Sequence, residues 1–116
     1  SRGLGDVYKR QLPMWLMPEQ VRVLPISEKF LDKALKVDRE LKAQGIRSTA
    51  DSRNEKIGYK IREAQMEKIP YMLIIGEKEV QENVVSVRSR KDGVLGSMSL
   101  EAFLEKALTE IREKTK

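Results

Sequence analysis

Apolar and polar residues follow one another along this chain in blocks whose period changes from two to nearly four and back. Val21-Arg22-Val23-Leu24-Pro25-Ile26 is a short, mostly apolar run and predicts a first strand. Ser27 follows in an N-cap position, and Phe30, Ala34, Val37 and Leu41 recur at i, i+4, i+7 and i+11, which predicts a helix. Leu31 and Leu35 widen its apolar stripe. Gly45 stands where a C′ glycine ends a helix, with Ile46 placed for the accompanying apolar contact. Ile46 to Asp51 is short and polar and reads as an edge strand. Ile57, Ile61 and Ala64 mark the buried side of a second helix over Ile57 to Lys68. Lys56, Lys60, Lys68 and Arg62 fall to its exposed side, interleaved with Glu55, Glu63 and Glu67, and Pro70 closes it.

Tyr71-Met72-Leu73-Ile74-Ile75 is then five apolar residues ending at Gly76, the pattern of a strand covered on both faces. Two strand–helix–strand units in succession predict parallel strands joined by right-handed crossovers, in spatial order 2-1-3. Gly76 to Asn83, read as a charged loop, is too short for a further crossover, so Val84 to Arg90 is expected to return antiparallel. There Val85 and Val87 face one way and Ser86, Arg88 and Arg90 the other. Lys91-Asp92-Gly93 is a turn, and the sheet has four or five strands according to whether a short edge strand precedes Ser97. Ser99 caps a last helix with Leu100, Phe103, Leu104, Ala107, Leu108 and Ile111 on its core face. Lys114 and Lys116 suit the negative end of its dipole. The expected fold is α/β: a mixed sheet, three strands parallel plus an antiparallel edge, with three helices.

Length sharpens this to one domain, since 116 residues support a single core. The expected boundaries are residues 1–11 as a tag or assembly scar, 12–20 as an extended connector and 21–116 as the domain. Ser1 to Gln11 shows no period, and Leu12 to Pro18 is an apolar segment bracketed by prolines. Trp15 in that connector is expected to pack rather than to stack on a base. No apolar run reaches membrane-spanning length and no leader-like apolar stretch stands near the first residue, so no membrane association is expected.

The chain has no cysteine and no histidine, which removes disulfides, thiolate chemistry, the commonest general base and the best zinc ligands. No glycine-rich phosphate loop follows a strand. Neither a catalytic residue nor a metal site is expected. The net charge of +5 falls to +3 without Ser1 to Gln11, so the placement of the charges has to decide whether a polyanion is bound.

In open α/β sheets ligands bind beyond the carboxyl ends of the strands, near the point where strand order reverses. Ser27, Asp51 to Glu55 and Gly76 to Glu79 supply that edge here, with Arg88 on the antiparallel neighbour. Asn54, Glu79 and Arg88 are expected to converge there, an amide, a carboxylate and a guanidinium that suit nucleobase edges. The competing reading is that Glu79 and Arg88 form a surface ion pair. Lys56, Lys60, Arg62, Lys68 and Arg90 are the candidate RNA-backbone contacts.

RNEKIGYKIREAQ at Arg53 to Gln65, KIPYMLIIGEKEV at Lys68 to Val80, VSVRSR at Val85 to Arg90 and LGSMSL at Leu95 to Leu100 resemble the C-terminal anticodon-binding domain of threonyl-tRNA synthetases. PMWLMPEQVRVLPIS at Pro13 to Ser27 is similar to the segment leading into that domain, and only Ser1 to Gln11 departs from the likeness. The resemblance implies a domain that is not itself an enzyme but binds the anticodon stem-loop of a threonine tRNA, reading its guanine and uracil through Asn54, Glu79 and Arg88. It implies no cofactor here, ATP and zinc belonging to a separate catalytic domain, and no small-molecule substrate. A monomeric domain, a homodimeric full enzyme and a cytoplasmic setting follow from the same likeness. Many family members carry arginine where this chain has Lys68, which keeps a phosphate contact but not a bidentate one. The alternatives are an α/β protein–protein module without RNA binding, the related domain of another class II synthetase, and, against the missing phosphate loop, a small nucleotide-dependent enzyme.

Overall fold

The structure, a computed structural model, describes residues 18–113. Ser1 to Met17, with Trp15 and most of the expected connector, lies outside the described residues, as do Lys114 and Lys116. The described chain runs β1 (Val21–Pro25), a 3₁₀ turn (Glu28–Phe30), α1 (Leu31–Ala43), β2 (Ser48–Ala50), α2 (Ile57–Met66), β3 (Tyr71–Ile75), α3 (Glu77–Glu82), β4 (Val85–Ser89), β5 (Gly93–Met98) and α4 (Leu100–Glu113). The five strands lie in the order β2-β1-β3-β4-β5. β1 pairs parallel with both β2 and β3, and β4 pairs antiparallel with β3 and β5. The expected 2-1-3 order and antiparallel return are both present, and the optional edge strand is β5.

All five residues of β3 are buried, because helices cover both faces of the sheet at this strand. Val21, Val23, Tyr71, Leu73, Ile75, Val85 and Val87 point to one side and meet α1 and α4. Leu24, Met72 and Ile74 point to the other and meet Ile57, Ile61 and Ala64 of α2. Period-two alternation thus divides β3 between two cores. On the α4 side, the Tyr71 ring meets Phe103 edge-on at 5.3 Å and its hydroxyl donates to Glu110 Oε1 at 2.6 Å. Burial, then the Glu110 carboxylate, pushes the Tyr71 hydroxyl well above its usual pKa. α2 does not extend over β4, so Ser86 and Arg88 are only half-buried on that face.

The helix ends follow local chemistry. α1 closes in a Schellman motif: Gly45 is left-handed (φ 84), Gly45 N–H donates to Lys42 O and Ile46 N–H to Leu41 O. α2 closes in the same way, but with Lys68 in the left-handed position (φ 63) and Ile69 N–H on Ala64 O. A lysine there costs roughly 1–2 kcal/mol that a glycine would avoid. Ser99 Oγ accepts from Ala102 N–H at 3.1 Å, the expected cap of α4. A bulge between Val87 and Arg88 moves their partners on β5 from Gly96 to Val94, and Gly96 is left-handed (φ 96).

Three expectations are corrected. Residues 77–82 form a helix, a fourth, instead of a loop. Glu79 Oε1 accepts from Gly76 N–H at 2.8 Å and left-handed Asn83 (φ 55) closes the end. The expectation failed because this helix has no apolar stripe to recognise, its one valine, Val80, being exposed. Ser27 caps no α-helix: a 3₁₀ turn intervenes, and its side chain makes no capping bond. Leu35 is 39% exposed and lies off the stripe that Ala34, Val37 and Leu41 bury.

Ile74 is 9% exposed and packs under α2. Ile74→Ala is expected to lower unfolding stability by about 2–5 kcal/mol in a denaturant titration. A loss under about 1 kcal/mol would show that the α2-side core does not depend on it.

Candidate nucleic-acid interface

The carboxyl ends of β1, β2 and β3 form one rim, and three short segments build it. Beyond β1, Pro25, Ile26 and Ser27 face the β2–α2 loop across an open cavity of about 250 Å³. Ser52, Arg53, Asn54, Glu55 and Lys56 form the opposite wall, and Lys60 also lines the cavity. Beyond β3, Gly76 leads into α3, and a β-carbon on Gly76 would sit 2.4 Å from Ile26 Cδ1. The Ile26 side chain thus lies directly over the Gly76 backbone, and that contact joins the cavity to the start of α3.

The loop before α2 is held by charge. Asp51 accepts from the Arg53 backbone N–H at 3.2 Å and from its guanidinium at 2.9 and 2.8 Å. The same guanidinium pairs with Glu63 on α2 and lies 5.7 Å over the Tyr59 ring. The Arg53 hydrogen bonds hold the Asp51 carboxyl below its usual pKa of 3.8 against the opposing effect of burial, and Arg53 also lowers that of Glu63. Asn54, Glu55 and Lys56, next in the chain, are exposed and make no side-chain hydrogen bond among the described residues.

The expected site residues are divided between the rim, the open sheet face, the far end of the sheet and α2. Asn54 and Lys56 are at the rim, on the cavity wall. Glu79 is at the rim too, 9% exposed, with Oε1 committed to Gly76 N–H and no partner for Oε2 among the described residues. Arg88 stands opposite Met72, three residues short of the last residue of β3, so its backbone is about 10 Å below the rim. Its side chain makes no hydrogen bond or ion pair among the described residues. The expected alternative, a Glu79–Arg88 ion pair, is therefore absent among them. Lys68 and Arg90 lie at the far end of the sheet, where Arg90 Nη1 donates to Lys68 O at 2.9 Å. Arg62 is exposed on α2.

Lys60 is the correction that matters most. It is 2% exposed, its ammonium bonded to Pro25 O at 3.2 Å and Asp51 O at 3.3 Å. It is not a surface phosphate contact. The spacing held the signal: Ile57, Lys60, Ile61 and Ala64 share one helical face, and the charge of Lys60 obscured it. The Asp51–Arg53–Glu63 network was also missed, although an aspartate two residues before an arginine at a strand end has the form of an Asx turn.

Comparison with known proteins accounts for this arrangement. Residues 20–110 match the family model described as "Anticodon binding domain". The chain belongs to the anticodon-binding domain family. It is 63% identical over 111 residues to the threonine–tRNA ligase of Caldanaerobacter subterraneus subsp. tengcongensis, covering 96% of this chain and 17% of that protein. It is 55% identical over 111 residues to that of Clostridioides difficile, again 96% and 17%. Among solved structures, the RNA-binding domain of threonyl-tRNA synthetase from Cryptosporidium parvum superposes with a TM-score of 0.81 at 34% identity, covering 93% of this chain and 26% of that one. Prolyl-tRNA synthetase from the same organism shares the fold, with a TM-score of 0.77 at 22% identity over 87% of this chain and 22% of that one. The chain thus spans under a fifth of the length of the curated relatives it matches. The likeness to the threonyl-tRNA synthetase anticodon-binding domain is borne out. Among the described residues no helix is long and apolar enough to cross a membrane, and no cluster of acidic residues is arranged to hold a metal.

The Asp51–Arg53 contact gives the rim a pH signature. Because folding depresses the Asp51 pKa, its contribution to stability is present above about pH 4 and is lost as pH falls through the folded value. Asp51→Asn is expected to unfold at lower denaturant than the parent at neutral pH, and the gap is expected to close in acid. A gap of constant size across that range would show that charge does not carry the contact.

Proposed function

We propose that the chain binds the anticodon stem-loop of a threonine tRNA and reads the guanine and uracil of its anticodon. The observation that carries this is the state of Arg88. Arg22 and Arg53 are each bound by two carboxylates, whereas Arg88, on the half of the sheet left open by α2, has no carboxylate partner among the described residues. A guanidinium without a carboxylate partner is suited to the O6/N7 edge of guanine. Glu79 keeps Oε2 for the N–H groups of an unstacked base, and Asn54 adds an amide at the rim. Lys56, Arg62, Lys68 and Arg90 take the phosphates, with Lys60 removed from that set. The face that α2 leaves uncovered gives one strand of RNA room along β4 and β5.

The parent protein on this reading is a cytoplasmic, homodimeric threonine–tRNA ligase whose catalytic domain, with its ATP and zinc, lies outside the present chain. This domain would then bind RNA as a monomer without a cofactor or small-molecule substrate.

The test is a titration of matched and base-altered anticodon hairpins at several salt concentrations. Arg88→Ala is expected to cost about 1–3 kcal/mol on the matched hairpin and little on one whose guanine is replaced. Glu79→Gln, which keeps an acceptor for the Gly76 N–H, is expected to behave in the same way. Arg62→Ala is expected to weaken all hairpins alike and to flatten the salt dependence by up to about 0.7–0.9 units. Equal losses on both hairpins for Arg88→Ala would reduce it to a counter-charge. No hairpin binding at all would favour a protein–protein module.

A further inference from the structure

The buried amine of Lys60 has a place in the rim that packing alone does not explain. Position 60 lies on the apolar face of α2, between Ile57, Ile61 and Ala64, where a leucine or methionine would fill the space. Lysine is almost never fully buried without partners. Both partners here are backbone carbonyls at the carboxyl ends of parallel strands: Pro25 is the last residue of β1, and Asp51 directly follows β2. The β1–β2 ladder ends with Asp51 N–H on Val23 O, so the ammonium joins the two strands just past the point where backbone pairing stops. It also lies beneath the loop that carries Asn54 and Lys56, whose own side chains are bonded to nothing among the described residues. The Asp51–Arg53–Glu63 network fastens that loop from the solvent side, and Lys60 fastens it from the core side.

We propose that Lys60 is a positioning residue: by bridging Pro25 O and Asp51 O it fixes the 52–56 loop, and with it Asn54, in the geometry that meets an RNA base. The proposal rests on the anticodon-reading function above, and it assigns Lys60 no direct contact with RNA. The bridge sets the separation of β1 and β2 at the rim, and so the width of the cavity between Ser27 and Asn54. Removing the amine leaves the fold its apolar contacts but frees the loop.

The experiment compares the 116-residue chain with Lys60→Met and Lys60→Gln, using two readouts. The first is binding of an RNA hairpin with the guanine–uracil anticodon end and of hairpins altered at either base. The second is amide hydrogen exchange at Arg53 to Lys56, with β3 amides as the internal reference. In Lys60→Met the discrimination between matched and altered hairpins is expected to fall by about tenfold, the size of one lost base contact, while affinity for the altered hairpins holds. Exchange at 53–56 is expected to quicken with β3 unchanged. Lys60→Gln, which keeps an N–H donor on a shorter arm, is expected to recover part of both effects. Equal loss of affinity on all hairpins, or 53–56 exchange unchanged in Lys60→Met, overturns the proposal. If Lys60→Met does not fold, the glutamine variant is judged by the same two readouts. Failure of both to fold makes Lys60 a residue of the fold alone and overturns the proposal as well. If the parent chain itself does not discriminate between hairpins, the anticodon reading fails, and the exchange data alone decide whether Lys60 holds the loop.

Discussion

Burial of β3 on both faces is the constraint on which the other elements depend. Its residues alternate between two cores, and neither core closes without the helices on its side. α1 and α4 must cover Tyr71, Leu73 and Ile75, and α2 must cover Met72 and Ile74. A strand buried in this way cannot lie at a sheet edge, so β1 and β4 are fixed on either side of it, one parallel and one antiparallel. Parallel pairing with β1 brings the ends of β1, β2 and β3 to one rim. Antiparallel pairing with β4 carries Arg88 away from that rim along the sheet. The layout of the candidate interface, two groups at the rim and one below it, is thus a consequence of strand direction.

Periodicity made the scaffold legible because each element that builds a core has a stripe of its own. Val85 and Val87 at spacing two, and the run from Leu100 to Ile111 at spacing three and four, admit few alternatives once burial is required. α3 has no such stripe. Its six residues are held by a backbone-to-carboxylate cap and a left-handed asparagine, both signals of single residues and not of a repeat. Lys60 is hidden for a related reason: its position agrees with the apolar stripe while its chemistry does not. Of its two carbonyl partners, Asp51 is 9 residues away but Pro25 is 35, so no local window contains the whole reason for its burial.

The candidate site was legible in residue type and less so in geometry. Asn54 and Glu79 follow strand ends, so the rule that ligands gather at carboxyl ends finds them. The depth of Arg88 depends on which residue of β3 it faces, and register is decided by the β3–β4 connection and by tertiary packing. Cation count is a poor guide on this chain. Arg22, held by Glu19 and Glu67 at 2.8 and 2.7 Å, and Arg53, held by Asp51 and Glu63, spend their charge inside the molecule. A basic total overstates what a polyanion meets.

The two outer strands bear on how such a domain behaves in company. An edge strand with a long, flat row of unpaired backbone groups is a template on which another chain can add a strand. β2 at one margin is only three residues long, and β5 at the other is bent by the bulge that accommodates Leu95 and left-handed Gly96. Neither margin offers an uninterrupted row. At high local concentration, copies of this domain should therefore not zip together through their main chains. Recognition of other molecules is left to side chains on the rim and the open face, where it can be selective.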